Sequence, residues 1–189
     1  MSLPGKRRWL ILSHAYNVDG RAQGGVDLSR ALRLLAAGIE PVVFSSVMGQ
    51  PDPQVTHVQM LPWGPAGIRF DLRHVLARRF GRGVVYRALS LLVTVLLALP
   101  ILVERLLGGL RSQWSWASPA LLRGRGLVSR GEVDLVFSTG GVFSAHLAGY
   151  WLKRWTGCRW IVEVHDPLVI PGRAPQGREM GAAAQGFAE

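Results

Sequence analysis

Short apolar runs and longer helical stripes alternate along this chain. Trp9-Leu10-Ile11-Leu12 is a continuous apolar run of strand length, which predicts a buried strand over 8–13. Turn chemistry follows at Asn17-Val18-Asp19-Gly20. Val26, Leu28, Ala31, Leu32, Leu34 and Leu35 then recur at helical spacing, and Gly38 stands where a helix end favours a left-handed residue. Pro41-Val42-Val43-Phe44-Ser45 opens a second strand, 41–46, so the first unit is strand, helix, strand: a parallel pair with a right-handed crossover. Val55-Thr56-His57-Val58-Gln59-Met60 alternates between bracketing prolines and predicts a strand at 55–60, nearer an edge. The rhythm returns late in the chain. Strands are predicted at 133–138 and 159–164, with a helix over 142–156 between them and Ser138 or Thr139 as its N-cap.

The middle of the chain breaks this rhythm. Ala88 to Val103 is a run of sixteen residues without a charge, flanked by Arg87 and by Glu104-Arg105. A helix that crosses a bilayer needs about 20 apolar residues. The run is shorter than that, and Ser90, Thr94 and Pro100 interrupt it. Arg87, Ser90, Thr94, Ala98 and Arg105 share one narrow helical stripe. The pattern predicts helix over 85–107, kinked at Pro100, either lying on a membrane surface or packed on the domain. Trp114 and Trp116 suit an interfacial position. Residues 112–131 read as a basic connector containing Gly and Ser. The whole predicts an α/β, Rossmann-like three-layer domain with a mainly parallel sheet over 1–171, a basic and apolar helical insert at 69–131, and a tail at 172–189.

Charge sharpens the reading of that insert. The chain carries a net charge of +10, mostly from Arg, and between Arg69 and Arg130 eleven Arg face only Asp71 and Glu104. Such a surface points to an anionic partner, and an anionic membrane surface meeting residues 85–116 is expected. Neither zinc-knuckle spacing nor an aromatic-basic RNA-binding signature is present, so nucleic acid is not an expected partner. Cys158 is alone and fits a reducing compartment.

The candidate chemistry sits at strand ends. Gly24-Gly25 after the first strand and Gly140-Gly141 after the fourth place glycines at helix N-termini, where backbone N–H groups favour an anion. His165-Asp166 follows the last strand and His14 ends the first. In a parallel sheet these ends share one edge, where ligands bind. An imidazole there can donate to a hydroxyl or phosphate, and a carboxylate can orient it or accept a proton. Each feature has a plainer reading: a tight turn for the glycines, an Asp-Pro turn for His165-Asp166. His57, His74 and His146 read as structural or solvated. Gly20 and Gly24 are four apart, so the G-x-G-x-x-G fingerprint is missing, and there is no Tyr-x-x-x-Lys pair. Both absences argue against an NAD(P)-dependent reductase or epimerase, and no cofactor is expected. Ser13, Ser138 and Ser144 lack a nucleophile-elbow context, and no residue spacing suggests a metal.

The strand, Gly24-Gly25-Val26 and amphipathic helix resemble the N-terminal domain of GT-B glycosyltransferases of retaining family 4. So does Asp134-Leu135-Val136-Phe137-Ser138-Thr139, followed by Ala145-His146-Leu147-Ala148 and then Ile161-Val162-Glu163-Val164-His165-Asp166-Pro167. The resemblance covers about 8–60 and 132–171. It implies an acceptor-binding domain, a nucleotide-sugar held by a C-terminal domain, and sugar transfer in the cleft between them. By resemblance, Gly24 and Gly25 approach the donor diphosphate, and His165, with Asp166 in the same or an alternative role, contacts the transferred sugar. The insert resembles membrane-facing helices of members that act on lipid-linked acceptors. The family's Glu-x7-Glu domain is absent from these 189 residues. The expectation is therefore half of a membrane-associated transferase, cytoplasmic and peripheral at the inner membrane face. It would be inactive alone and paired with a missing or separate C-terminal-domain chain. The alternative is a non-enzymatic membrane-surface or partner-binding module on a Rossmann-like sheet.

Overall fold

A computed structural model describes residues 7–18, 22–108, 114–140 and 142–165. The apolar runs become strands β1 (Arg7–Leu12), β2 (Ile39–Ser46), β3 (Thr56–Met60), β4 (Leu135–Thr139) and β5 (Trp160–Glu163). They form one sheet in the order β3-β2-β1-β4-β5, with every neighbouring pair parallel. The fold is thus α/β, with a Rossmann-like arrangement of layers. β1 is central, its last three residues are fully buried, and β3 and β5 form the edges.

Handedness explains the layers. The chain leaves β1 for β2 in one direction and leaves β4 for β5 in the other. Right-handed crossovers therefore put the connecting helices on opposite faces. Helix α1 (Ala22–Ala36) packs Ala31, Leu28 and Leu34 on Ile11, Val43 and Phe137. Helices α5 (Ala117–Ser129) and α6 (Phe143–Thr156) pack Ala120, Leu121, Ala145, Ala148 and Leu152 on Leu10, Leu12, Phe44 and Val136. Alternate residues of the central strand thus feed two cores. Gly38 is left-handed (φ 76°) after α1, as the pattern predicted.

Two expectations are corrected here. Residues 112–131 are no connector: α5 occupies 117–129 and buries Ala117, Ala120, Leu121 and Gly124. The small residues Ala117, Ala120 and Gly124, spaced three and four apart, let the helix approach the sheet closely, and a Cβ at Gly124 would meet Leu152 and Leu10. Trp116, in a 3-10 turn at Trp114–Trp116, is fully buried in the core beside the β1 end, so it is no interfacial anchor.

The link from β3 to α5 also carries α2 (Pro65–Phe80), α3 (Val84–Leu96) and α4 (Ala98–Gly108). Helix formation over 85–107 matches the expectation, and α3 and α4 meet at a bend of 48° around Leu97. Pro100 causes it, because its ring excludes the carbonyl four residues back and it offers no N–H to Leu96. Neither helix alone is long and apolar enough to cross a membrane; the bent pair passes that test only when both are taken together.

The orientation of this pair inverts the usual amphipathic rule. Ser90, Thr94 and Glu104 face the domain, while Arg87 and Arg105 of the predicted stripe are exposed: Arg69 Nε on α2 donates to Thr94 Oγ1 (2.9 Å), and the Glu104 carboxylate accepts the Ala66 N–H (2.8 Å), capping α2. Leu89, Val93, Leu97 and Ile101 are half-buried, and the other large apolar residues face outward. No residue of α3 is buried, and Val84, Leu91, Leu96, Leu99 and Leu106 are each at least 65 % exposed.

Candidate functional site

The strand order places a topological switch point between β1 and β4, where ligands of open parallel sheets bind outside the carboxyl ends of the strands. The residues following β1, β2, β4 and β5 meet at this edge, but they divide into a covered half and an open half.

The β1–β2 half is covered by α2. Phe70 packs on Ala15, Val18 and Met48, and the Arg78 guanidinium donates to the Met48 (2.9 Å) and Gly49 carbonyls. Beneath them Asp71 accepts from Ser46 Oγ at 2.5 Å, and His14 Nε2 stands 4.0 Å from Asp71 Oδ1. The Trp116 ring meets the His14 ring edge-on at 5.3 Å. Burial pushes the Asp71 carboxyl up to about 7, against the opposing hydrogen bond from Ser46. His14 therefore does end its strand at the predicted edge, but it is 1 % exposed and sealed from any ligand in this conformation.

The β4–β5 half is open, and one hydroxyl organises it. Thr139 Oγ1, at the end of β4, lies 2.8 Å from Glu163 Oε2, 3.2 Å from Asp27 Oδ1, 3.2 Å from Arg30 Nη1 and 3.2 Å from His165 Nε2. Arg30 reaches Glu163 with both terminal nitrogens, Nη2 at 2.5 Å. His165 Nε2 is also 3.2 Å from Glu163 Oε2. Both partners of Nε2 can accept, so Nε2 carries a proton toward them. Burial raises the Glu163 carboxyl, but hydrogen bonds from Thr139 and His165 and the Arg30 charge outweigh it and hold it below the usual carboxylate range. Asp27, beneath, accepts from Ser13 and Thr139. Burial still dominates there and pushes its carboxyl up, although those hydrogen bonds and the His165 and Arg30 charges oppose it.

The glycine turn after β4 is held from below. Gly140 adopts φ 110°, its carbonyl accepts from His146 Nε2 (2.9 Å), and Ser138 Oγ bridges His146 Nδ1 (3.0 Å) and the Trp160 indole N–H (2.9 Å). His146 is thus structural, as is His57, whose Nδ1 accepts the Asp52 N–H (3.0 Å) and whose Nε2 meets Ser45 Oγ (2.8 Å). The N-cap of α6 is Val142, without a side-chain cap, so Ser138 and Thr139 do not play the predicted part; their hydroxyls serve these two networks instead.

Of the predicted residues, His165 and Gly140 lie at the open half and His14 lies under the cover. Gly24 and Gly25 belong to the first turn of α1, which begins at Ala22. Gly141 and Asp166 lie outside the described residues. The residues that the pattern did not single out are Asp27, Arg30, Thr139 and Glu163. One signal was present: Asp27 and Arg30 are charges three apart in the first half of a helix that leaves a strand end. Among the described residues no group of three His, Cys, Asp or Glu side chains is arranged to hold a metal ion.

Chemically, the open half offers a carboxylate, an imidazole and a hydroxyl around one point, which suits a ligand rich in hydroxyls. Among the described residues it offers no surplus cation, because Arg30 is paired with Glu163. Comparison with protein-family models, curated proteins and solved structures returned no match.

Proposed function

We propose that this chain is the acceptor-binding wall of a membrane-associated glycosyltransferase, which passes a sugar from a nucleotide-sugar to a lipid-linked or glycan acceptor at the inner face of an anionic membrane. The observation that carries the reading is the convergence of His165, Glu163 and Thr139 at the open half of the switch-point edge. Their acceptors and donors match sugar hydroxyls, and the resemblance of the strand-end motifs to GT-B enzymes supports the same assignment. The outward apolar face of α3 and α4 supports work at a bilayer surface.

The diphosphate of a nucleotide-sugar needs cations as its leaving-group charge develops. At the open edge the one guanidinium among the described residues is already paired with Glu163. In this reading the cations come from a second domain or chain that closes the cleft. The test is transfer of labelled sugar with a matching donor-binding domain supplied in trans or by fusion. Turnover is expected only with that domain present, and His165→Ala is expected to lower kcat more than it raises KM. Ordinary turnover by the 189-residue chain alone would overturn the divided cleft. A silent His165→Ala would remove the assigned role.

A second reading, a non-enzymatic membrane-surface or partner-binding module, draws on the same exposed helices. It is favoured if vesicles bind while no nucleotide-sugar or acceptor does, with or without the added domain.

A further inference from the structure

A concavity lies between α2 and the start of α3. It encloses about 400 Å3 and is lined by Phe70, Arg73, His74, Ala77, Arg82 and Tyr86. That volume falls among small-ligand clefts, roughly 300–1,000 Å3. Its chemistry is one-sided. Two guanidiniums and a phenol supply donors beside Phe70 and Ala77, the His74 ring is held by its Nδ1 on the Phe70 carbonyl (3.0 Å), and among the described residues no carboxylate lines it. Arg73 lies against the Tyr86 hydroxyl, so the two form one donor group.

The acids of α2, α3 and α4 do not neutralise it. Between Arg69 and Arg105 the acids are Asp71 and Glu104. Asp71 is buried under α2 with its carboxyl pushed up to about 7, and Glu104 is committed to the first turn of α2. Tyr86 sits in the first turn of α3, the helix that carries the outward apolar face, with Val84 and Val85 exposed beside it. The exposed valines thus adjoin Tyr86, one of the residues that line the concavity.

We propose that this concavity is a headgroup site for the phosphate of an anionic membrane lipid, filled while the apolar face of α3 and α4 enters the same leaflet. Guanidinium forks match phosphate oxygens in pairs, which a diffuse field of surface charge does not do. The apolar neighbours select lipid over free phosphate, because they reward a phosphate that is attached to hydrocarbon. The proposal rests on the membrane part of the reading above and adds a defined site to it.

The experiment is co-sedimentation of the full chain with phosphatidylcholine vesicles, pure or containing phosphatidic acid or phosphatidylglycerol at matched surface charge. Arg73→Gln/Arg82→Gln is compared with Arg123→Gln/Arg154→Gln, which removes equal charge from α5 and α6, and with the charge-conserving Arg73→Lys/Arg82→Lys. All are checked for an unchanged melting profile. The Gln pair in the concavity is expected to weaken binding to anionic vesicles at least tenfold. The control pair should weaken it less than threefold, and the Lys pair should fall between them. Equal losses from both Gln pairs, or full rescue by Lys, would leave a diffuse field and overturn the site while the membrane reading stands. Absence of binding to any vesicle would overturn both. If millimolar glycerol 3-phosphate displaces the wild type from vesicles, or binds it as tightly as they do, the source is a soluble phosphate, and the lipid assignment fails.

Discussion

The two halves of the sheet's carboxyl edge are built from the same parts and put to opposite uses. After β1 and β2, Ser46 and His14 are roofed by α2, whose own Asp71 reaches down to them, and His14 packs against Trp116. After β4 and β5, Thr139, Glu163 and His165 carry a comparable set of groups but remain partly accessible; the Glu163 side chain is 33 % exposed where that of Asp71 is fully buried. The covering element makes the difference. A carboxylate under a roof is driven toward its neutral form, and its hydrogen bonds hold the roof in place. A carboxylate at an open edge, fed by Arg30, Thr139 and His165, stays charged and can receive a ligand.

If the covered half serves stability, breaking it should be costly. Trp116→Ala removes a fully buried ring from between His14 and the α5–α6 layer and is expected to destabilise the domain by about 3–5 kcal/mol. His165→Ala, in the open half, should change stability by about 0.5 kcal/mol or less while altering ligand binding. Urea unfolding of both variants checks the contrast. Similar losses from the two would erase the distinction between the halves.

A finer test uses pH. Because the Asp71 carboxyl is raised, the folded protein keeps a proton that the unfolded chain gives up between about pH 4 and pH 7. The stability linked to that proton is complete below pH 4 and is lost as the pH rises through about 7, at up to about 1 kcal/mol per pH unit. Burial lowers His57 and His146, so they act with the opposite sign, withdrawing stability as the pH falls below about 6.5. The difference between wild-type and Asp71→Asn stability profiles isolates the carboxyl. That difference should slope from pH 4 to 7, and a flat difference would mean that Asp71 is solvated.

The smallest effect belongs to the Arg30–Glu163 pair. Both side chains are about a third exposed, so Glu163→Gln should cost about 1 kcal/mol or less, and 1 M salt should remove most of the wild-type advantage. Salt-insensitive stabilisation of greater size would mean that this half is closed like the other.

Much of the frame was legible in the order of residues. Trp9 to Leu12, Pro41 to Ser45 and residues 159–164 read as strands because short, mostly apolar runs of that length have few alternatives, and Gly38 marked a helix end through its freedom at positive φ. The parallel sheet followed from strand and helix alternation. α5 was not legible, because its buried face is made of Ala117, Ala120 and Gly124, and small residues that allow close packing carry the same signature as a flexible linker. Trp116 was misread for a related reason, since an indole suits a core as well as a membrane interface. The stripe of Ser90 and Thr94 was visible too, but not its direction; the Arg69 and Glu104 contacts turn it inward and leave the leucines outside.

The sequence by itself determined the five strands and the helices α1, α3, α4 and α6, though not α2 or α5, because period and run length act over a few residues. Only the tertiary structure decided that Asp27, Arg30, Thr139 and Glu163 meet, and that His14 is sealed while His165 is open. These facts depend on β4 pairing with β1 and on α2 crossing one half of the sheet edge, and both join residues tens to more than a hundred positions apart. Such pairings are settled by handedness, by close packing and by the burial of polar groups with their partners, none of which is written in any local stretch of the chain.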